Sequence, residues 1–173
     1  TATQCNGTTN APASAAPHCA WASPVVALPM GDGRYGNTIP AARIKGGDTL
    51  QIASGSYMIG YSETPIAGTQ GQACGKSSPY ECQISNIPSG IDAAHPTVIT
   101  GDCAKPAELW GTQRNGAIFN LAGQHDVKIA CLELTDHSNC ITFYVDPSGR
   151  CNRDTYPYGN WADTGIHADH ATG

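Results

Sequence analysis

Arg43-Ile44-Lys45-Gly46-Gly47-Asp48-Thr49-Leu50-Gln51-Ile52-Ala53-Ser54-Gly55-Ser56-Tyr57 is the stretch on which the fold turns. Lys45-Gly46-Gly47-Asp48 is a turn signal, because paired glycines followed by aspartate favour tight backbone reversals. Thr49-Leu50-Gln51-Ile52-Ala53 alternates polar and apolar residues, the period of a half-buried strand. Ser54-Gly55-Ser56 turns again, and Tyr57-Met58-Ile59-Gly60-Tyr61 reads as a second short strand.

Outward from this stretch, further strands are expected at Thr97-Val98-Ile99-Thr100, Ala117-Ile118-Phe119-Asn120-Leu121, Val127-Lys128-Ile129-Ala130-Cys131-Leu132-Glu133-Leu134, Cys140-Ile141-Thr142-Phe143-Tyr144-Val145 and Gly165-Ile166-His167-Ala168-Asp169. Val98, Ile118, Ile141 and Ile166 follow one another at roughly 20–25 residues, a spacing that marks solenoids. With no helical segment between the strands, the spacing predicts a β-solenoid whose coils stack apolar side chains on one another. A sandwich also spaces short strands regularly. It would, however, carry hairpin dipeptides between neighbours, and Asn115-Gly116 is the main one here. Residues 1–42 lack periodicity and read as an irregular N-terminal cap, with a short helix near Pro40-Ala41-Ala42-Arg43. Residues 43–173 read as coils, interrupted by a loop excursion at 62–95 that contains Cys74 and Cys82.

The opening coil, with its Gly-Gly-Asp-Thr-Leu turn and strand (residues 46–50) leading to Gly55-Ser56-Tyr57, resembles that of right-handed parallel β-helix proteins. The stretch from Pro96 to Gly173 is similar to the same pectin-lyase-like superfamily, which holds pectate lyases, polygalacturonases and phage tailspikes. Leu132-Glu133-Leu134-Thr135-Asp136-His137-Ser138 and Asp154-Thr155-Tyr156-Pro157-Tyr158-Gly159 look like a bacterial extracellular subgroup of unassigned activity. The resemblance covers about residues 43–173 and implies an all-β fold, a right-handed parallel β-helix entered through its first coils. It says little of function, because one fold hosts many chemistries. The superfamily's catalytic motifs are absent. Arg43-Ile44-Lys45 matches a polygalacturonase triplet in letters alone, since it lies in the first coil rather than near the end. No Asn-Xaa-Asp or Asp-Asp pair stands in a matching place. Ending at Ala171-Thr172-Gly173 in mid-coil, the chain is expected to be the N-terminal portion of a longer β-helix.

Composition narrows the classes. Charged residues make up 13%, beside 20 glycines and 12 prolines, so the chain is rich in turns. A net charge of −5 gives no basic surface for nucleic acid. No apolar run reaches the roughly 20 residues of a membrane span. Eight cysteines without a Cys-Xaa-Xaa-Cys pair favour disulfides over a zinc site and imply an oxidising compartment: secreted or extracellular, with periplasm or cell surface also fitting. Eight cysteines allow about a hundred pairings, and sequence alone does not choose among them. Short loops suggest Cys5–Cys19, Cys74–Cys82 and Cys140–Cys151, leaving Cys103–Cys131. Asn6-Gly7-Thr8 is a glycosylation sequon, relevant in a eukaryotic secretory host.

Three polar groupings carry potential chemistry. Asp163, His167, Asp169 and His170 combine imidazole with carboxylate, as a divalent-metal site (calcium, for example) or an acid–base pair would. The alternative is a polar coil edge, and no cofactor is otherwise expected. Glu133, Asp136 and His137 read as a polar turn, with Glu133 turned away from Leu132 and Leu134. Tyr156, Tyr158 and Trp161, with Arg153 and Asp154, form a candidate carbohydrate subsite, since aromatic faces cover sugar rings while keeping a polar edge free. A loop packing its own aromatics on the β-helix flank is the alternative. Trp21 and Trp110 are expected to cap or line the core. No nucleophile elbow, phosphate loop or dinucleotide fingerprint appears. Two functions follow as expectations. One is a module facing polysaccharide, of polysaccharide lyase or glycoside hydrolase type if it is an enzyme. The other is a structural or adhesive scaffold that self-associates through its C-terminal coil.

Overall fold

A computed structural model describes residues 5–31, 41–60, 82–112, 115–137 and 162–172. Within them the chain is all-β apart from a 3-10 turn at Ala13–Ala15 and one short helix, α1, at Pro24–Ala27. The strands are β1 (Thr49–Gln51), β2 (Ser56–Ile59), β3 (Thr97–Thr100), β4 (Ala107–Gly111), β5 (Phe119–Asn120), β6 (Val127–Ala130), β7 (Leu132–Thr135) and β8 (Ile166–His167). Every strand pairing is parallel.

The strands form three sheets, ordered β1-β3-β6, β2-β4-β7 and β5-β8. Ile84 adds a parallel bridge to Phe119 in the third. Along the chain the backbone therefore visits the first sheet, the second and the third, and then returns one strand further on. Register stacks like on like. Leu50 aligns with Ile99 and Ile99 with Ile129 in the first sheet; Tyr57, Leu109 and Leu134 align in the second. These rows meet Phe119, Ile84, Ile87 and Ile118 in one core. Ile99, Leu109 and Phe119 are fully buried, and each such side chain contributes roughly 1.5–3 kcal/mol.

Sharp corners separate the strands. Asp92-Ala93-Ala94-His95-Pro96 and Asp102-Cys103-Ala104-Lys105-Pro106 build the same one before β3 and before β4. In each, the aspartate Oδ1 accepts the alanine N–H two residues on, at 2.9 Å, and the proline then favours extended backbone before it. Between β6 and β7 the corner is a single residue, Cys131, at φ 56°. A Cβ on Gly101 would collide with the Cys131 carbonyl, so this close approach requires glycine. Beside it, the Cys103–Cys131 disulfide ties one corner to the next.

Residues 23–31 pack on the first strands. Val25, Ala27, Leu28 and Met30 join the core, Arg43 N–H donates to the Ala27 carbonyl, and Met30 bridges Ile84. Cys5–Cys19 closes the preceding loop, where Trp21 packs against the core and donates its Nε1–H to the Cys5 carbonyl.

Several expectations are corrected. Val98 belongs to the first sheet, whereas Ile118 precedes the third-sheet strand that pairs with β8, so the regular spacing joined strands that do not stack. Residues 127–134 are two strands rather than one, and β4 had no counterpart among the expected strands. The helix lies at Pro24–Ala27, and residues 41–43 are not helical. Ile84 and Ile87, in the stretch read as a loop excursion, are core residues. Of the expected disulfides, Cys5–Cys19 and Cys103–Cys131 are present. Cys82 is buried, while Cys74, Cys140 and Cys151 lie outside the described residues, as does the strand expected at 140–145.

Candidate functional site

Among the described residues, the outward face of the β2-β4-β7 sheet carries a polar and aromatic grouping. Alternation along β4 sends Ala107, Leu109 and Gly111 inward and leaves Glu108 and Trp110 on the outer face. Parallel register then builds two rows across the strands: Ser56, Glu108 and Glu133, and beside it Met58, Trp110 and Thr135. His137, two residues past β7, folds back over the second row. Its ring stacks on Trp110, with centroids 4.2 Å apart and planes 23° apart.

One hydrogen-bonded network joins these side chains. Trp110 Nε1–H donates to Ser56 Oγ at 2.9 Å. Ser56 aligns with Glu108 on the neighbouring strand, and His137 Nε2 lies 2.9 Å from Glu108 Oε1. Ser56 and His137 together hold the Glu108 carboxyl below the ordinary carboxylate range, against a smaller opposing effect of burial. The Glu108 side chain is 28% exposed and that of His137 38%, so the network is open to solvent on its outer side.

The arrangement limits the chemistry. His137 bonds Glu108 rather than Ser56, so no imidazole is placed to deprotonate the serine, as a serine nucleophile requires. What it offers is a platform. Glu108 and Glu133 stand one strand apart, about 4.8 Å by strand spacing, as hydrogen-bond acceptors. His137 and the Thr135 hydroxyl offer donors, and the stacked Trp110 and His137 rings supply rigid apolar area.

The residues singled out by sequence fare unevenly. Glu133 is exposed beside half-buried Leu132 and Leu134, facing away from them as expected. His137 is more than a turn residue, because register brings Glu108 and Trp110 to it. Trp110 does not line the core; it stands on the outer face, half-buried. Glu108, Trp110 and Ser56 were not singled out as site residues, since they come together only through strand register.

Asp163, His167, Asp169 and His170 are all exposed. Asp169 Oδ1 meets His170 Nδ1 at 2.9 Å, with both side chains mostly in solvent. β8 ends at His167, so Asp169 is not its same-strand neighbour. Among the described residues no three His, Cys, Asp or Glu side chains are grouped to hold a metal ion. Arg153, Asp154, Tyr156, Tyr158 and Trp161 lie outside the described residues. Within those residues, no helix is long and apolar enough to cross a membrane. The chain matches no protein-family model, no curated protein and no solved structure.

Proposed function

We propose that this chain is a module of a secreted right-handed parallel β-helix that binds polysaccharide on the outer face of its β2-β4-β7 sheet. The repeated visit to three parallel sheets supports the β-helix reading. Two disulfides support an oxidising compartment. The observation that carries the ligand class is the Trp110–His137 stack set beside the Glu108–Glu133 carboxylates. Ring area with a polar border suits sugars, and carboxylates accept hydroxyl hydrogen bonds. Negative charge on this face favours a neutral, hydroxyl-rich polysaccharide over a polyuronate. Sedimentation with insoluble cellulose, xylan and chitin, against soluble polygalacturonate, tests it. Retention on one neutral polymer, weakened at least tenfold in Trp110→Ala, is the expected result. Equal retention of Trp110→Ala, or none on any polymer, overturns it.

One observation favours the scaffold reading as the second. Ile99 and Leu109 are fully buried, whereas Ile129 and Leu134, one strand further along the same rows, are only half-buried, and Ile166 is 40% exposed. A further layer from a second copy would bury them. Light scattering across a concentration series decides this: a mass that stays monomeric throughout removes the reading.

A further inference from the structure

A groove of about 760 Å³ runs along the other end of the molecule. One wall is β1 with its flanks, from Asp48 to Ser54. The other is the stretch from Asn6 to Asn10, held by the Cys5–Cys19 disulfide, together with Trp21 and Pro24. Outward-facing Thr49 and Gln51 and inward-facing Leu50 and Ile52 all line it. It therefore follows the edge of the strand rather than either face.

That edge is unpaired. β1 stands last in its sheet and pairs with β3 alone among the described strands. Val98 N–H donates to the Asp48 carbonyl at 2.9 Å, and Ile52 N–H donates to the Thr100 carbonyl at 2.8 Å. Peptide groups at even positions thus face β3. Strand alternation turns those of Thr49 and Gln51 the other way, into the groove. Such a row of donors and acceptors is a template for another strand.

We propose that this groove binds an extended polypeptide segment, which adds as a strand beside β1. Main chain is the chemistry that matches N–H and C=O groups recurring every second residue along a straight edge. Exposed Arg43 and Asp48 precede β1, where the Asp48 carboxylate already accepts the Lys45 N–H at 2.7 Å, and exposed Asp102 lies beyond its far end, all in the groove wall. A segment with an acidic residue at one end and a basic residue at the other complements Arg43 and Asp102. Ser56, Glu108, Trp110 and His137 do not line the groove, so the proposal stands independently of the polysaccharide platform.

The probe is a blocked, fluorescein-labelled hexapeptide of alternating valine and threonine, with glutamate at one end and lysine at the other, made in both orders. Saturable anisotropy is expected for one order, with shifts of the Thr49 and Gln51 amide NMR signals. N-methylation of the alternate peptide nitrogens facing β1 should weaken binding at least tenfold. Gln51→Pro should do the same, because the lost N–H points away from β3 and proline is tolerated on such an edge. No saturable binding in either order overturns the proposal. So does equal affinity of the N-methylated peptide, or displacement by a cello- or xylo-oligosaccharide whose own binding ignores Gln51→Pro. Should Gln51→Pro fail to fold by circular dichroism, the N-methylated peptide decides alone.

Discussion

Glu108 shows how one carboxylate acquires two partners from distant parts of the chain. Its pKa is lowered, first by the Ser56 hydroxyl and then by His137. A carboxyl whose folded pKa lies below its unfolded value contributes stability above the unfolded pKa, and that contribution is lost as pH falls through the folded pKa. The unfolded reference for glutamate is about 4.3. The network should therefore be intact at neutral pH and come apart in acid, below that value. The Trp110 indole N–H signal in NMR reads it directly, since that proton rests on Ser56 Oγ. An acid transition below the ordinary glutamate range, abolished in Glu108→Gln, is expected; an unchanged transition in that variant would show that another group controls it. None of this was visible locally. Ser56, Glu108 and His137 share no spacing motif, and only the alignment of three strands assembles them. The acidic and histidine-rich run at 163–170 had the opposite character. It was dense in sequence, yet its side chains spread into solvent.

At the scale of elements, legibility followed the strength of the local code. β1 and β3 were readable because one face of each is buried, so polar and apolar residues alternate or β-branched residues cluster. β4 escaped, although the corner before it repeats the one before β3: Asp102-Cys103-Ala104-Lys105-Pro106 echoes Asp92-Ala93-Ala94-His95-Pro96 ten residues on. The break between β6 and β7 carried no such warning, because a single residue makes it and that residue is cysteine rather than glycine or proline. The left-handed backbone at Cys131 is held against its disulfide partner across a corner of adjacent strands. Replacing Cys103 and Cys131 together by alanine should cost about 3.6 kcal/mol, given the 28-residue separation they close. Denaturant unfolding measures it. A loss below about 0.5 kcal/mol would mean that the corner is held by its strands alone.

For the whole molecule, the all-β character was legible in the sequence and the order of the strands was not. Short parallel strands do recur, but neighbours along the chain lie in different sheets, and strands that touch are separated by unequal lengths of chain. Paired strands lie from about 25 to about 50 residues apart in sequence, so no fixed period survives. The same inequality explains why apolar rows rather than spacing define the core. Leu50, Ile99 and Ile129 form one row, and Tyr57, Leu109 and Leu134 form another, whatever the chain does between them.

The parallel pairing of the described strands also has a consequence in time. Thr49 can pair only once Val98 exists, and Ser56 waits for Glu108, delays of roughly 50 residues each. During synthesis the early strands thus leave the ribosome without partners, and each sheet becomes possible only as the next circuit arrives.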